Sequence, residues 1–116
     1  MEVIIYHNSR CSKSRKTLEL ITENGIEPVV VDYQKTPPSH QQLDSILRGL
    51  NLEPRGLMRT KEAEYGEQNL GDDSLSRDQL IAAMIATPKL IERPIVIVGD
   101  DIVIGRPPES VLTILP

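Results

Sequence analysis

The sequence predicts an α/β fold built on a four-stranded mixed sheet. A β-branched run, Val3-Ile4-Ile5-Tyr6, leads through a short polar loop into a helical pattern and then into a second run, Val29-Val30-Val31. Near the end, Ile95-Val96-Ile97-Val98 and Ile102-Val103-Ile104 flank Gly99-Asp100-Asp101, a hairpin signal. Between these halves the apolar spacing is helical. Two strands joined by one helix run parallel through a right-handed crossover, and a hairpin adds an antiparallel pair. The predicted order is therefore βαβ, a helical insert at about residues 36–90, then ββα. The 116 residues suffice for one core and are few for two, so a single domain spanning 1–116 is expected.

Each element has its own signal. Strand one is expected over Glu2 to Tyr6, and the helix after Cys11 places Leu18 and Ile21 on one face and stops at Asn24-Gly25. Strand two reads from Pro28 to Tyr33. Lys35-Thr36-Pro37-Pro38 breaks the chain, after which Ser39 and Gln42 stand at capping-box spacing before Leu43, Ile46, Leu47 and Leu50. Pro54 starts a short helix through Leu57-Met58, while Arg59 to Leu70 mixes charge with few apolar anchors. Ser76 and Gln79 repeat the capping box before Leu80, Ile81, Met84 and Ile85, and Pro88 ends that stripe. Val111, Leu112, Ile114 and Leu115 suggest a short closing helix, whose start tolerates Pro107 and Pro108.

Composition narrows the class. Charged residues at 26% and apolar residues at 39% lie in the globular range, and the absence of Phe and Trp requires an aliphatic core. A formal net charge of −4 argues against general binding of nucleic acid or anionic membrane, though it leaves room for a local basic pocket. No stretch is apolar enough to span a bilayer, and no signal peptide is expected. With one cysteine, no intramolecular disulfide forms, and a reducing cytoplasmic location is expected. His7 and His40 stand apart without supporting cysteines, so no metal site is expected.

The chemistry concentrates in His7-Asn8-Ser9-Arg10-Cys11-Ser12-Lys13-Ser14-Arg15. Here the lone cysteine stands at a helix start, where unpaired backbone N–H groups and the positive end of the helix dipole favour thiolate. The thiolate is the reactive form. Isolated cysteines are usually buried and inert, but this one is flanked by Arg10, Ser12 and Lys13 and not by apolar residues. A basic loop opening a helix would also suit an anion such as phosphate. Three arginines outside the loop stand at element edges from which a side chain can reach the thiol: Arg59 in Leu-Met-Arg, Arg93 in Glu-Arg-Pro-Ile-Val, and Arg106 in Ile-Gly-Arg-Pro-Pro-Glu. Guanidinium groups present planar donor forks that match tetrahedral oxyanions. A thiolate and an oxyanion repel each other, so a site joining them needs such neutralising groups.

Two resemblances follow from these residues. The element order, with Cys11-Ser12-Lys13-Ser14 as a C-x-x-S motif at the first helix, is similar to the thioredoxin and glutaredoxin fold. That resemblance implies that Pro94 follows a cis peptide bond beside the cysteine. Further, His-Asn-x-x-Cys-x-x-Ser-Arg, Glu-x-Pro, Thr-Pro-Pro, Leu-Met-Arg, Glu-Arg-Pro-Ile-Val and Gly-Arg-Pro-Pro-Glu-x-Val-Leu resemble, in order and over essentially the whole chain, the glutaredoxin-dependent arsenate reductases. The likeness is to their short arsenate-reductase-like branch. The loop departs from better-characterised members, which carry a Gly-Thr pair where Ser12-Lys13 stands.

The resemblance implies an oxidoreductase that reduces arsenate to arsenite. It makes Cys11 the nucleophile, and Arg59, Arg93 and Arg106 the ligands of arsenate and the later intermediates. His7 is implied to help keep the cysteine ionised, Ser14 to donate a hydrogen bond to the thiolate, and Asn8 to shape the loop, with Arg15 and Pro94 as further supports. It implies no bound cofactor, glutathione as co-substrate and glutaredoxin as partner. Two other functions are compatible with the same fold. One is an Spx-like regulator that binds RNA polymerase, although Ser14 precludes a disulfide switch within the motif. The other is a monothiol glutathione-dependent oxidoreductase with a different substrate, or a member without turnover.

Overall fold

The computed structural model describes residues 1–116, which form two compact units: Met1–Thr36 with Arg93–Pro116, and Pro37–Glu92. The first unit holds the whole sheet. Strands β1 (Val3–His7), β2 (Val29–Asp32), β3 (Ile95–Val98) and β4 (Asp101–Ile104) lie in the order β2-β1-β3-β4. β1 and β2 are parallel, with Tyr6 opposite Val31 and His7 opposite Asp32. β3 is antiparallel to β1 and to β4. This is the mixed thioredoxin-like sheet that the sequence predicts.

Helix α1 (Ser12–Glu23) joins the two parallel strands. It ends as the sequence indicates, on Asn24 and then Gly25 at φ +76°, a left-handed position that glycine occupies without steric cost. Val3 and Ile5 alternate inward along β1, Val96 and Val98 do so along β3, and they close with Ile21 and Val111 into one buried cluster. Leu18, Leu20, Ile26, Val103, Ile114 and Leu115 pack around it. The core of this unit is aliphatic, as the composition requires.

Three details differ from expectation. His7 belongs to β1, whose pairing with β2 reaches Asp32. Asp101 belongs to β4 because it pairs with Val98, which leaves a two-residue turn of Gly99 and Asp100 with Gly99 at φ +61°. The closing helix is not α-helical: Pro108–Thr113 is a 3₁₀ segment, and Leu112 lies on its exposed side. A 3₁₀ segment repeats every three residues, so Val111 and Ile114 share one face while Leu112 turns away.

The second unit is helical: α2 (His40–Leu50), α3 (Pro54–Leu57), α4 (Ala63–Glu67) and α5 (Arg77–Ala86), followed by a 3₁₀ turn at Pro88–Leu90. Both capping boxes form. The Ser39 and Ser76 hydroxyls accept the backbone N–H of Gln42 and Gln79, whose side chains accept the serine N–H in return. α5 packs against α2 and α3, burying Leu80, Ile81 and Met84. Met58 bridges to Ile91, flanked by hydrogen bonds from the Arg59 N–H to the Leu90 carbonyl (2.7 Å) and from the Glu92 N–H to the Leu57 carbonyl (2.8 Å). The short α4 has no buried residue, which is why apolar spacing did not reveal it. No helix in either unit is long and apolar enough to cross a membrane.

Candidate active site

Cys11 is the N-cap residue of α1, in extended conformation and partly exposed. The loop before it is held by Asn8, whose groups are used three times. Its carbonyl accepts the Cys11 N–H (3.0 Å), its Oδ1 accepts the Arg10 N–H (2.9 Å), and its own N–H donates to Ser14 Oγ (3.0 Å). Arg15 adds a brace by donating to the Ser9 carbonyl (3.0 Å). Asn8 and Ser14 are buried, so the bond between them is shielded from competing water.

Ser14 Oγ lies 2.6 Å from His7 Nδ1. Ser14 Oγ also accepts the Asn8 N–H, so one hydroxyl ties the His7 ring to the thiol loop. Burial lowers the His7 pKa, Asp32 opposes this and Arg15 reinforces it. Burial and Arg15 thus disfavour the imidazolium form, and the contact of His7 with the thiol loop runs through Ser14. The serine hydroxyl is spent on His7 and Asn8, so its donor toward Cys11 is the backbone N–H.

The Cys11 thiol has a pKa below its ordinary value. Burial pushes it up, but the backbone N–H of Ser14, the Arg93 side chain, the N–H of Lys13 and the charge of Arg93 together outweigh burial. The sulfur makes no formal cap hydrogen bond, yet it sits where an N-cap oxygen does, with the N–H groups of the first turn directed to it. Arg106 approaches from the other side, with Nη2 3.7 Å from Sγ. Its Nε donates to the Arg93 carbonyl (2.9 Å), so the two arginines are fastened to each other. The Arg93–Pro94 and Arg106–Pro107 peptide bonds are both cis. Gly105 donates its N–H to the Pro94 carbonyl (2.9 Å), which completes the frame behind the thiol.

Arg59 belongs to the helical unit, where it donates from Nε to Glu62 (3.1 Å) and from Nη1 to Glu92 (3.2 Å). The Met58–Ile91 bridge sets this pairing by bringing residues 59 and 92 onto adjacent extended segments. No group of three or more His, Cys, Asp or Glu side chains is arranged to hold a metal.

Beside the thiol loop, Asn8, Ser9 and Arg10 line a groove of about 240 Å³ together with Asp32, Gln34 and Lys35. Sequence reasoning passed over this wall because residues 32–35 read as the end of a strand and a turn. Their place near the loop depends on the parallel pairing of His7 with Asp32.

The family described as ArsC matches residues 6–114. The chain is 54% identical to the protein YfgD of Escherichia coli K12 over 98% of this chain and 97% of that protein. It is 48% identical to the arsenate reductase of Haemophilus influenzae, covering 99% of this chain and all of the relative. It is similar in structure to the arsenate reductase from Vibrio cholerae, with a TM-score of 0.96 and 53% identity over 99% of this chain and 98% of that one. A basic thiol loop, two arginines at the sulfur and a family match over nearly the full length lead to one assignment: the chain belongs to the ArsC family.

Proposed function

We propose that the protein is an arsenate reductase that uses glutathione and glutaredoxin as its source of electrons. The observation that carries this proposal is the placement of Arg93 and Arg106 around a Cys11 thiol of lowered pKa. A thiolate nucleophile and cationic forks for a tetrahedral oxyanion are the two things that the reaction requires together. Support also comes from the relatives named arsenate reductase.

In the proposed mechanism the Cys11 thiolate attacks arsenic(V). A sulfur–arsenic bond forms, an arsenic–oxygen bond breaks, and the departing oxygen leaves as water after taking up protons. Arg93 and Arg106 neutralise the charge that would otherwise hold thiolate and oxyanion apart. The chain has no second cysteine, so the second thiol comes from outside. Glutathione attacks the adduct, and the two sulfurs together give up two electrons. Arsenic leaves as arsenic(III), and Cys11 remains joined to glutathione in a mixed disulfide. A glutaredoxin thiol then attacks that disulfide and returns Cys11 to the thiolate. The share of Arg59 in oxyanion binding rests on the family resemblance alone. A reducing cytoplasmic setting is part of the proposal, because it keeps the lone thiol and its donors reduced.

The test is arsenate-dependent NADPH oxidation coupled through glutathione, glutaredoxin and glutathione reductase. Turnover that requires arsenate and disappears in Cys11→Ser, with the variant still folded, is the expected result. Activity retained in that variant would overturn the mechanism. No turnover from a wild-type Cys11 that still alkylates rapidly near pH 7 would assign the activated thiol to another substrate.

A further inference from the structure

Tyr33 follows β2 and is 1% exposed, yet its hydroxyl has no hydrogen-bond partner. A buried tyrosine usually finds one, because leaving the hydroxyl unpaired is costly. Among the three tyrosines, only the Tyr33 hydroxyl is both buried and unpartnered. Its surroundings are those of the thiol: the side chains of Arg93, Gln34 and Asn8 lie close enough to influence its ionisation. Arg93 is the residue that also acts on Cys11, and Asn8 and Gln34 both line the groove beside the thiol loop. An unsatisfied donor in such a place is a cost to folding that function can explain.

We propose that the Tyr33 hydroxyl is an oxyanion-binding donor, which hydrogen-bonds to an oxygen of the anion held by Arg93 beside Cys11. The inference rests on the oxyanion chemistry proposed above and adds to it a neutral donor that the sequence motifs do not contain. Burial raises the pKa of the phenol, so it stays protonated and able to donate throughout the neutral range. A neutral donor has a distinct use here. It binds the oxyanion without further stabilising the thiolate, so affinity for substrate is gained without blunting the nucleophile.

The substitution Tyr33→Phe removes the hydroxyl and keeps the ring. Two measurements are made on it: the thermal midpoint, and the concentration of inorganic phosphate that protects Cys11 from iodoacetamide. The expected result is a roughly tenfold weaker protection by phosphate, the size of a lost hydrogen bond to a charged group. Alongside it, thermal stability is unchanged or raised, because the orphaned donor has gone. Arsenate kcat/KM falls by a similar factor. Unchanged protection by phosphate would overturn the proposal. A lowered thermal midpoint would also overturn it, since that would show a hydroxyl serving the fold. Should wild type fail to turn over arsenate while Tyr33→Phe still weakens phosphate protection, the arsenate reductase proposal would fall and the role of Tyr33 would stand.

Discussion

Gly105 offers a test of how tightly the thiol's surroundings are built. A Cβ added there would lie 2.7 Å from Pro94 Cγ and 3.2 Å from Pro94 Cδ, and would collide with Thr17 Oγ1. Ordinary contact begins at 3.4 Å, so the methyl group of Gly105→Ala is about 0.7 Å too close to the ring. Neither neighbour yields easily. The proline ring is rigid, and the buried Thr17 hydroxyl is tied to the Lys13 carbonyl at 2.8 Å. Overpacking of this kind costs about 1–3 kcal/mol, a midpoint shift on the order of 5–10 °C for a chain of this size. The displacement also reaches the site, because Pro94 follows Arg93 and Gly105 precedes Arg106. Misplacing such groups by a fraction of an ångström lowers kcat/KM by roughly tenfold or more. Differential scanning calorimetry and the coupled arsenate assay read the two effects. A Gly105→Ala protein that melts within about 1 °C of wild type with unaltered kcat/KM would refute the close packing on which this reasoning depends.

Two further expectations concern ionisation. Arg93→Ala removes a group that lowers the Cys11 pKa, so the pH midpoint for alkylation of Cys11 moves up and the rate at pH 7 falls severalfold; an unmoved midpoint would remove Arg93 from the account of thiol activation. His7 has a lowered pKa in the folded state, so the unfolded chain binds its proton more readily. The stability that it contributes is present above the unfolded value of about 6.5 and is lost as pH falls through the folded value. His7→Asn should therefore show a shallower loss of stability on acidification below about pH 6.5, and urea melts at pH 7 and pH 5 that change equally in both proteins would contradict this.

Much of the fold was legible because the local signals agree with one another. The β-branched runs, the Asn24-Gly25 stop and the two capping boxes each express a local preference that the folded chain keeps. α4 escaped because a helix without buried residues leaves no apolar period, and the closing segment was misread because 3₁₀ and α spacing are hard to separate over six residues. Of the site, the Cys11 loop was readable since its residues are neighbours in sequence. The link between Arg106 and Arg93, the lowered pKa of His7 and the orphaned Tyr33 hydroxyl were not. Each depends on strands pairing across long sequence separations, which a one-dimensional pattern does not contain.

The N-cap position of Cys11 has a thermodynamic corollary. Helix α1 begins on a sulfur whose anion is the form that its first-turn N–H groups favour, so folding and thiol chemistry share one free energy. Whatever draws the sulfur toward the thiolate must, by reciprocity, steady the helix when the thiolate is present. In the proposed cycle, attachment of arsenic or of a second sulfur to Cys11 withdraws that contribution. A modified Cys11 lacks the stabilisation given to the thiolate, and the amides that favour the thiolate also make the sulfur a better leaving group. Under the proposed mechanism, the start of α1 favours return to the free thiolate.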